Sequence, residues 1–415
     1  MHFPGSRLII KNVHVIPLTT DTIWRNMDVV IENGKIQDIR PHSNRFLKDS
    51  FIDGHDKYLM PALIDCHVHY ASHVELFKTY DSLYLRYGIA KVLALNGTPE
   101  LLQHRANIQK GETSGPDIYC SGPRVNDPEM TVLQARELLK RTRAAGYDFV
   151  KIYSDLSKAG FNEISEKAYE YGLRIAGHIP QSVGTTGVLR SNQELVAHAE
   201  EFLYNPPVNY MMGEIARPEK PDPRFIPGLA DSVSRYQKVV SPSLIAFKSI
   251  LQSALNLESH VAKVPLASSH PIAVTWQWSK ETSFIPKKFN NRLSVSRLQH
   301  AYDYQLKLVN AFNKAGVLIL AGTDAPTIPG LMPGYSLHQE LQLLCEAGLS
   351  NYEALRAATV NPARFLHVDS VFGTVELGKE ASLVLLGGNP LEDVGRTMEV
   401  EGVIFKGKQL YRSGH

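Results

Sequence analysis

The chain has 415 residues, of which 43% are hydrophobic and 21% are charged, a composition that predicts about two to three soluble globular domains. Its net charge is only +2, and charges of both signs are interspersed without a basic block between aromatic residues. This pattern disfavours nucleic-acid binding. No segment approaches the roughly 18 apolar residues that a bilayer span requires.

The N-terminal residues lack the long apolar segment and the small-residue cleavage site of a secretory signal. Three cysteines, Cys66, Cys120 and Cys345, are too few and too scattered for a disulfide framework. We therefore expect a cytoplasmic protein without membrane contact. A signal peptide that has already been removed is the alternative.

Short alternating strands separated by turns are predicted at both chain ends. Near the N-terminus such runs flank Asn33-Gly34, which is a strong hairpin signal. Residues 371–415 return to the same character. We therefore predict that residues 1–60 and 367–415 together form a small β-sandwich domain.

Between these ends, strand-like runs alternate with helical ones. The helical periodicity is clearest in four segments, Thr131–Ala145, Asn162–Tyr171, Ser296–Ala315 and Ser336–Ala347. The predicted strands cover residues 62–67, 89–95, 117–121, 147–153, 173–178, 195–199, 238–245 and 316–323. Eight strands alternating with helices predict an α/β fold, a (β/α)8 TIM-like barrel over residues 61–366. Functional sites of such barrels lie at the C-terminal ends of the strands.

Two long departures from this alternation are predicted to overhang the mouth of the barrel. The first, near residues 204–227, follows the sixth strand and is rich in proline. The second, near residues 246–295, contains Trp276 and Trp278. Long segments of this kind inside a compact domain are usually lids or binding elements. The two tryptophans predict a preference for bulky or aromatic groups.

Six residues that can ligate a metal lie at or near the ends of five predicted strands. His67 and His69 are two residues apart, so their side chains share one face of a strand and could bind one ion. The others follow separate apolar runs, and they are Lys151, His178, His198 and Asp324. All six would converge at the mouth of a barrel, which predicts a metal centre. Taken singly, each has a structural alternative, such as a core histidine, a lysine paired with an acid or an Asx turn.

Motifs along nearly the whole chain resemble those of the metal-dependent amidohydrolase superfamily, in particular its imidazolonepropionase-like and prolidase-like branch. These motifs are Met60-Pro-Ala-Leu-Ile-Asp-Cys-His-Val-His69, Phe149-Val-Lys-Ile-Tyr153, Ala176-Gly-His-Ile-Pro180, His198-Ala-Glu-Glu201, Ala321-Gly-Thr-Asp-Ala-Pro326, His338-Gln-Glu-Leu341, Ala354-Leu-Arg-Ala-Ala-Thr-Val-Asn-Pro-Ala-Arg364 and Gly373-Thr-Val-Glu-Leu-Gly378. Together these motifs are highly specific for the superfamily. Taken separately, only the first motif and the motif that contains Asp324 are specific for it.

The resemblance implies two divalent metal ions, and imidazole with carboxylate ligands favours zinc. The implied ligands are His67, His69 and Asp324 for one ion and His178 and His198 for the other. Lys151 would bridge the ions after reaction with carbon dioxide, as an N6-carboxylated lysine, because a primary ammonium cannot ligate a cation.

Catalytic and substrate-binding roles are implied for further side chains. Asp324 would take a proton from a hydroxide that bridges the ions and deliver it to the leaving nitrogen. Tyr153 is a candidate for a hydrogen bond to the substrate carbonyl, with a packing role as the alternative. Substrate contacts are also assigned to His338 and Arg124, whose alternatives are a hydrogen bond at a helix start and simple solvent exposure. We do not expect His73 to be a ligand.

The implied function is hydrolysis of the amide bond of a small molecule, an N-acyl amino acid or a dipeptide-like compound, by attack of a metal-bridging hydroxide. The same site could instead hydrolyse a lactone, an ester or a phosphotriester, or deaminate a ring substrate. A non-catalytic scaffold is the alternative from another class. The resemblance also suggests a homo-oligomer.

Overall fold

The structure, a computed structural model, describes residues 7–43, 51–70, 73–204, 222–265, 271 and 278–412. In these ranges the strands β1 to β16 are, in chain order, Arg7–Val15, Trp24–Glu32, Lys35–Pro41, Phe51–Asp53, Tyr58–Pro61, Leu63–Val68, Ile89–Ala94, Asp117–Cys120, Phe149–Ile152, Arg174–Gly177, Leu195–Ala197, Val239–Ser241, Leu318–Ile319, Leu383–Leu386, Val400–Phe405 and Lys408–Arg412. The helices α1 to α12 are Phe77–Arg86, Pro99–Lys110, Val132–Ala145, Lys158–Lys167, Gly184–Leu189, Ile226–Arg235, Leu244–Val261, Ile285–Lys288, Arg292–Lys314, Tyr335–Glu346, Asn351–Ala357 and Val360–Phe365.

Local sequence signals set the ends of helix α3. Thr131 accepts a hydrogen bond from the Gln134 backbone, and the Gln134 side chain returns one to the Thr131 backbone, which is a complete capping box. At the other end Gly146 adopts φ 90°, a left-handed conformation that glycine takes without steric cost. The observed helix therefore agrees with the predicted one to within a residue.

Strands β6 to β13 form two parallel sheets, in the orders β6-β7-β8 and β13-β12-β11-β10-β9. Parallel bridges join these sheets at both edges, through Val68 with Ala325 and through Ser121 with Phe149. Each of the eight predicted barrel strands has a counterpart among them. The fold is a TIM-barrel-like α/β fold, so the predicted α/β class is confirmed, and the closed (β/α)8 barrel stays a prediction. Because the strands are parallel, their C-terminal ends meet at one mouth.

The two chain ends pair in one sheet of eight strands, in the order β16-β15-β14-β5-β1-β2-β3 with β4 beside β1. Strand β5 runs antiparallel to β14, with Met60 opposite Val384. Apolar side chains of this sheet, such as Val13, Val29 and Leu385, form a cluster separate from the barrel core. The domain boundaries and the sandwich form of this unit stay predictions.

The predicted seventh strand, residues 238–245, is wrong at its end. Strand β12 stops at Ser241, and helix α7 begins at Leu244. The second insertion, expected to be irregular over residues 246–295, is therefore helical in its first part. A distant carboxylate stabilises this start, because Glu340 accepts hydrogen bonds from the backbone nitrogens of Leu244 (3.1 Å) and Ile245 (2.7 Å). Most of the first insertion, residues 205–221, lies outside the described ranges.

The structure also describes the cysteines and the apolar character of the helices. All three cysteines are free thiols, and two of them are buried, as the sparse cysteine pattern predicted. Among the helices that the structure describes, none combines the length and apolar character that a bilayer span needs.

Candidate metal centre

A cavity of about 460 Å³ opens at the C-terminal ends of the parallel strands, and all six predicted ligands line it. His67 lies inside β6, and His69 follows that strand directly. The other predicted ligands lie in β9 or shortly after β10, β11 and β13. The fold thus brings together side chains that are up to 257 residues apart, from His67 to Asp324. We call these six residues the floor of the cavity.

Three floor residues already form a tight group. The Nε2 atom of His69 lies 2.7 Å from Asp324 Oδ1, and the Nε2 atom of His67 lies 3.2 Å from the same oxygen. One ligand atom from each residue lies within 4.8 Å of the others, so this group could hold a metal ion. Thr327 Oγ1 lies 2.9 Å from the second oxygen, Asp324 Oδ2, and 2.6 Å from the Asp324 carbonyl oxygen, so its hydroxyl contacts both acceptors.

The other imidazoles stand beside this group. The ring centroids of His67 and His198 are 4.6 Å apart, and those of His198 and His178 are 5.1 Å apart. His178 Nδ1 donates to Glu201 Oε1 at 2.6 Å, which leaves its Nε2 as the nitrogen available to a ligand. A carboxylate bound to the outer nitrogen of a metal-ligating histidine is a common arrangement, because it sets the tautomer and the ring orientation.

Burial lowers the pKa values of four basic groups of the floor. It lowers the pKa of His198 to about 3, and it holds the pKa values of His67 and His178 well below their usual range, with the Lys151 charge adding to the effect. Burial also lowers the pKa of Lys151 to about 8, against the opposing attraction of Asp324 and Glu201. Neutral imidazoles and a readily deprotonated amine are the forms that metal ligation and carbamate formation require.

Unpartnered polar atoms test whether the floor fits a metal centre. Lys151 is 1% exposed, and in the described part of the chain its Nζ has no hydrogen-bond partner. Both ring nitrogens of the fully buried His67 likewise lack a hydrogen bond there. Buried polar groups without partners cost free energy. The donor set of the floor therefore fits bound cations bridged by a carboxylated lysine.

Backbone conformations that non-glycine residues rarely adopt cluster at this cavity. His198 has φ 70°, and Asp324 has φ 64°. Two further cavity residues, Asn96 and Ser243, have φ values of 124° and 48°. Such conformations cost of order 1–3 kcal/mol each and persist where surrounding contacts over-determine them, typically at functional sites.

Glycine is required next to two of the ligands. A Cβ atom on Gly322 would lie 2.4 Å from Ser241 Oγ and 2.9 Å from the His67 Cβ. A Cβ atom on Gly177, the residue before His178, would lie 2.1 Å from a carbonyl oxygen of the neighbouring strand. Both glycines therefore allow the close strand approach that brings the ligands together.

A buried acid below the floor connects the first and last strands. Asp65 accepts hydrogen bonds from the His67 backbone nitrogen at 3.2 Å and from Thr323 Oγ1 at 2.7 Å. Burial raises the pKa of Asp65 to about 7. Because Thr323 precedes Asp324, this acid positions ligands of both strands.

The predicted Tyr153 and Arg124 both line the cavity. The Tyr153 ring lies 4.2 Å from that of His178, and the Arg124 guanidinium lies 5.3 Å from the Tyr153 ring centroid. Seven apolar residues also line the cavity, and we call them the wall. The wall consists of Leu95, Pro242, Ala246, Phe247, Ile250, Phe284 and Ile328.

Two other predicted contacts, His338 and Trp278, lie outside the cavity. His338 is buried in α10, does not line the cavity, and has its Nε2 3.0 Å from the Tyr87 carbonyl oxygen. Its surroundings therefore match the structural alternative rather than a substrate contact. Trp278 is 4% exposed and packs in the core instead of lining the cavity. Trp276 lies outside the described residues, and His73 does not line the cavity.

Sequence reasoning missed several residues at the site. Glu200 lines the cavity and Glu201 bonds His178, and they follow the predicted ligand His198 by two and three residues in the quoted motif. That adjacency is a signal that could have identified them. Ser243 and Phe247 gave no such signal. Ser243 is the N-cap residue of helix α7 inside a segment that was predicted to be a strand, and Phe247 lies in the first turn of that helix.

Comparisons with known proteins confirm the predicted resemblance to amidohydrolases. Residues 284–410 match the amidohydrolase family. Ochratoxinase from Aspergillus niger is 23% identical over 384 residues, which cover 85% of this chain and 75% of that protein. An adenine deaminase from Clostridium perfringens is 25% identical over 193 residues. That match covers 43% of this chain and only 34% of the deaminase, about a third of its length.

A solved structure, a putative prolidase from Bifidobacterium longum, has the same fold. The TM-score is 0.71 at 24% identity, and the superposition covers 98% of this chain and 95% of that one. The likeness extends over both the barrel strands and the sheet formed by the chain ends. At 24% identity this likeness shows a shared fold and does not show a shared activity.

Proposed function

We propose that this chain is a dinuclear metal-dependent hydrolase that cleaves the amide bond of an N-acyl amino acid or a dipeptide-like molecule. The observation that carries the proposal is the floor of the cavity, where a buried lysine amine without a partner stands among four imidazoles and a carboxylate. Bound cations would supply partners for the ring nitrogens of His67, which have no hydrogen bond among the described residues.

The residues fit two ions. His67, His69 and Asp324 would hold one, and His178 and His198 would hold the other. When bound, the pair supplies Lewis-acid polarisation of the scissile carbonyl and an activated water at neutral pH. Zinc suits this mixture of imidazole and carboxylate ligands.

Lys151 would enter the centre as a carbamate. Its neutral Nζ attacks the carbon of carbon dioxide, an N–C bond forms, and one Nζ proton leaves to solvent. The depressed pKa of Lys151, which is 1% exposed, keeps the required neutral amine accessible. The product would be an anion whose two oxygens could ligate divalent cations.

Asp324 is placed to move a proton during the reaction. Its Oδ2 is held by Thr327 and its Oδ1 points toward His69 and His67. The carboxylate accepts the proton of the attacking water and then delivers it to the leaving nitrogen. Tyr153, beside His178 at the cavity surface, donates its hydroxyl hydrogen to the oxygen that gains charge when the carbonyl is attacked.

The barrel itself is part of the proposal. Bridges at both seams between the two parallel sheets support closure of eight strands over residues 61–366, with residues 1–60 and 367–415 as the second unit. A homo-oligomer in solution is the assembly we propose. The adenine deaminase match favours deamination of a ring substrate as a second candidate, although it spans under half of this chain.

A substrate panel tests the proposed function. Protein purified with its metal is assayed against N-acyl amino acids, dipeptides, lactones, esters, phosphotriesters and adenine, with Lys151→Met as the control that keeps side-chain volume. We expect turnover of at least one amide and its loss in the variant. Hydrolysis confined to esters, lactones or phosphotriesters, or deamination of adenine alone, would contradict the amide assignment. Turnover of nothing by metal-loaded protein would contradict catalysis altogether.

A further inference from the structure

One neutral polar side chain interrupts the apolar wall of the cavity. Ser243 lies in the chain between the wall residues Pro242 and Ala246, where strand β12 leads into helix α7. It lines the same cavity of about 460 Å³ as the floor. Its side chain is 1% exposed, and its Oγ has no hydrogen-bond partner among the residues that the structure describes. A buried hydroxyl without a partner costs free energy, so a ligand that supplies a hydrogen bond removes this cost.

Ser243 occupies the position of a helix cap without making the usual bond. A serine hydroxyl at the N-cap ordinarily accepts a hydrogen bond from a backbone N–H near the helix start, but the Ser243 side chain makes no such bond. The carboxylate of Glu340 takes that role, because it accepts hydrogen bonds from the backbone nitrogens of Leu244 and Ile245. The Ser243 hydroxyl is therefore left for another partner.

The backbone of Ser243 also indicates that its side chain has a use. The residue has φ 48° and ψ 46°, a left-handed conformation that glycine adopts without steric cost and that other residues adopt only at a cost in free energy. Folding alone would favour glycine at this position. Residues that keep a side chain in such a conformation cluster at functional sites.

Three other neutral side chains that line the cavity already have hydrogen bonds. Asn96 accepts one from a backbone nitrogen at 3.1 Å, and Gln305 donates one to a backbone carbonyl oxygen at 3.3 Å. The hydroxyl of Thr327 contacts Asp324. These groups are therefore less available to a ligand than the Ser243 hydroxyl.

The lack of a partner places Ser243 beside two residues of the floor. Among the described residues that line the cavity, three have buried side-chain nitrogen or oxygen atoms without a hydrogen bond, and they are His67, Lys151 and Ser243. The proposed metal centre accounts for His67 and Lys151. It does not account for Ser243, whose hydroxyl remains for the substrate.

The segment before Ser243 is bonded to the floor. The His198 backbone nitrogen donates to the Ser241 carbonyl oxygen at 2.7 Å. The next nitrogen, of Ala199, donates to the Pro242 carbonyl oxygen at 2.9 Å. A hydroxyl both donates and accepts, and the wall residues that flank this one carry no charge that would offset an ionic group. The site therefore suits a neutral hydrogen-bonding group of a ligand.

We infer that the substrate carries a neutral hydroxyl group on its apolar part, and that this hydroxyl forms a hydrogen bond with Ser243 Oγ. Ser243 is then a specificity-determining residue, which selects between amides that differ by one hydroxyl. The inference rests on the proposed function and deepens it, since it names a group of the substrate away from the amide bond. The wall rings Phe247 and Phe284 favour an aromatic ring as the carrier of that hydroxyl.

A hydroxyl scan of one amide tests the inference. The parent compound is phenylacetyl-phenylalanine, and six derivatives each carry one hydroxyl at the ortho, meta or para position of one of its two rings. We expect kcat/KM of the wild-type holoenzyme for at least one derivative to exceed that for the parent by at least about fivefold, the size of one hydrogen bond between neutral groups. Ser243→Ala should bring that ratio close to one.

A serine of the same helix provides the matched control. Ser253 of α7 is likewise buried, and its Oγ also lacks a partner among the described residues, but it does not line the cavity. Ser253→Ala should keep the wild-type ratio. Ser243→Gly is a second variant without the hydroxyl, and it should fold even if Ser243→Ala does not, because glycine suits the left-handed backbone. It too should give a ratio near one.

The outcomes separate the inference from the proposed function. If the wild type hydrolyses the parent and all six derivatives equally well, the amide hydrolase stands and the hydroxyl site fails. A preference that survives both Ser243 substitutions also overturns the inference. If none of the seven compounds turns over, the proposed function fails for them, and calorimetry with the wild-type holoenzyme decides the inference. Tighter binding of one derivative that is lost in Ser243→Gly supports it, whereas equal affinities or no binding overturn it.

Discussion

The floor and the wall of the cavity are built from opposite chemistry within one enclosed space. The floor buries imidazoles, an amine and a carboxylate, several of them without hydrogen-bond partners among the described residues. The wall buries apolar side chains from helix α7 and from the loops around it. The floor is therefore unfavourable for folding unless ligands complete it, while the wall stabilises the fold as any core surface does.

This difference assigns the two regions different roles. Groups that the fold leaves unsatisfied gain most from bound cations, so substitutions in the floor should change metal binding and the rate of chemistry. The apolar side chains of the wall are already packed in the fold. A bound substrate therefore adds to them only the apolar contact area that it buries. Substitutions in the wall should change substrate affinity and leave metal content intact.

The largest effect is expected for Asp324→Asn in the floor. The amide nearly preserves the shape of the side chain but cannot accept the proton of the attacking water. We expect kcat to fall by roughly 100-fold to 10,000-fold, the range of a lost general acid–base catalyst. Thr327→Val, which removes only the hydroxyl that holds Asp324, is the matched control and should cost far less. A kcat for Asp324→Asn within tenfold of wild type would contradict its assigned role.

The next effect concerns the carboxylate behind the floor. Glu201→Gln weakens the hydrogen bond that sets the ring of His178. We expect metal affinity, measured by competition with a chelator, to fall by about 10-fold to 100-fold. Glu163→Gln is a suitable control, because Glu163 is buried and paired with Arg136 outside the cavity. Equal metal affinity in both variants would mean that Glu201 has only a packing role.

Two aromatic residues sharpen the description of the wall. Phe284 lines the cavity and is 44% exposed, whereas Trp278 is buried away from it. Phe284→Ala should raise KM for substrates with aromatic groups by several-fold to about tenfold, since it removes part of the apolar contact area. Trp278→Phe should leave KM nearly unchanged. A larger KM effect from Trp278 than from Phe284 would contradict the observed lining.

The smallest predicted effect concerns the anchor of the wall helix. Burial raises the pKa of Glu340 to about 8 from the usual 4.5. Between these pH values the folded protein binds more protons than the unfolded chain. The contribution of Glu340 to the free energy of unfolding is therefore complete below about pH 4.5 and is lost as the pH rises through about 8. Relative to Glu340→Gln, the free energy of unfolding of wild type should fall by more than about 1 kcal/mol between about pH 5 and pH 8. Thermal or chemical unfolding across this pH range measures both free energies of unfolding. A difference between wild type and Glu340→Gln that does not change with pH would contradict the raised pKa.

The floor could be predicted from sequence because each of its residues adjoins an apolar run of strand type. In a parallel barrel, the position of a residue at a strand end already fixes which mouth it reaches. The cavity accordingly contains all six predicted ligands together with Tyr153 and Arg124. Distances, protonation and the role of Glu201 depend on three-dimensional contacts that the sequence pattern does not contain.

The wall could not be predicted, for reasons that are also physical. The apolar run from residue 238 to 245 crosses the boundary between β12 and α7 without a break in hydrophobicity. The signal that ends the strand is the left-handed conformation of Ser243, and the cap of the helix comes from Glu340, about 96 residues away along the chain. His338 and Trp278 are buried and do not line the cavity, and a histidine or a tryptophan near a barrel mouth can equally be a packing residue.

The central claim is that Lys151 completes a two-metal centre, and metal content tests it most directly. Elemental analysis of wild type and Lys151→Ala, purified side by side without added metal, should give about two equivalents of zinc or a similar ion for the wild type. The variant should hold clearly less, and a short carboxylic acid added with metal should restore part of it. Two full equivalents in Lys151→Ala without added acid, or no metal in the wild type, would contradict the account.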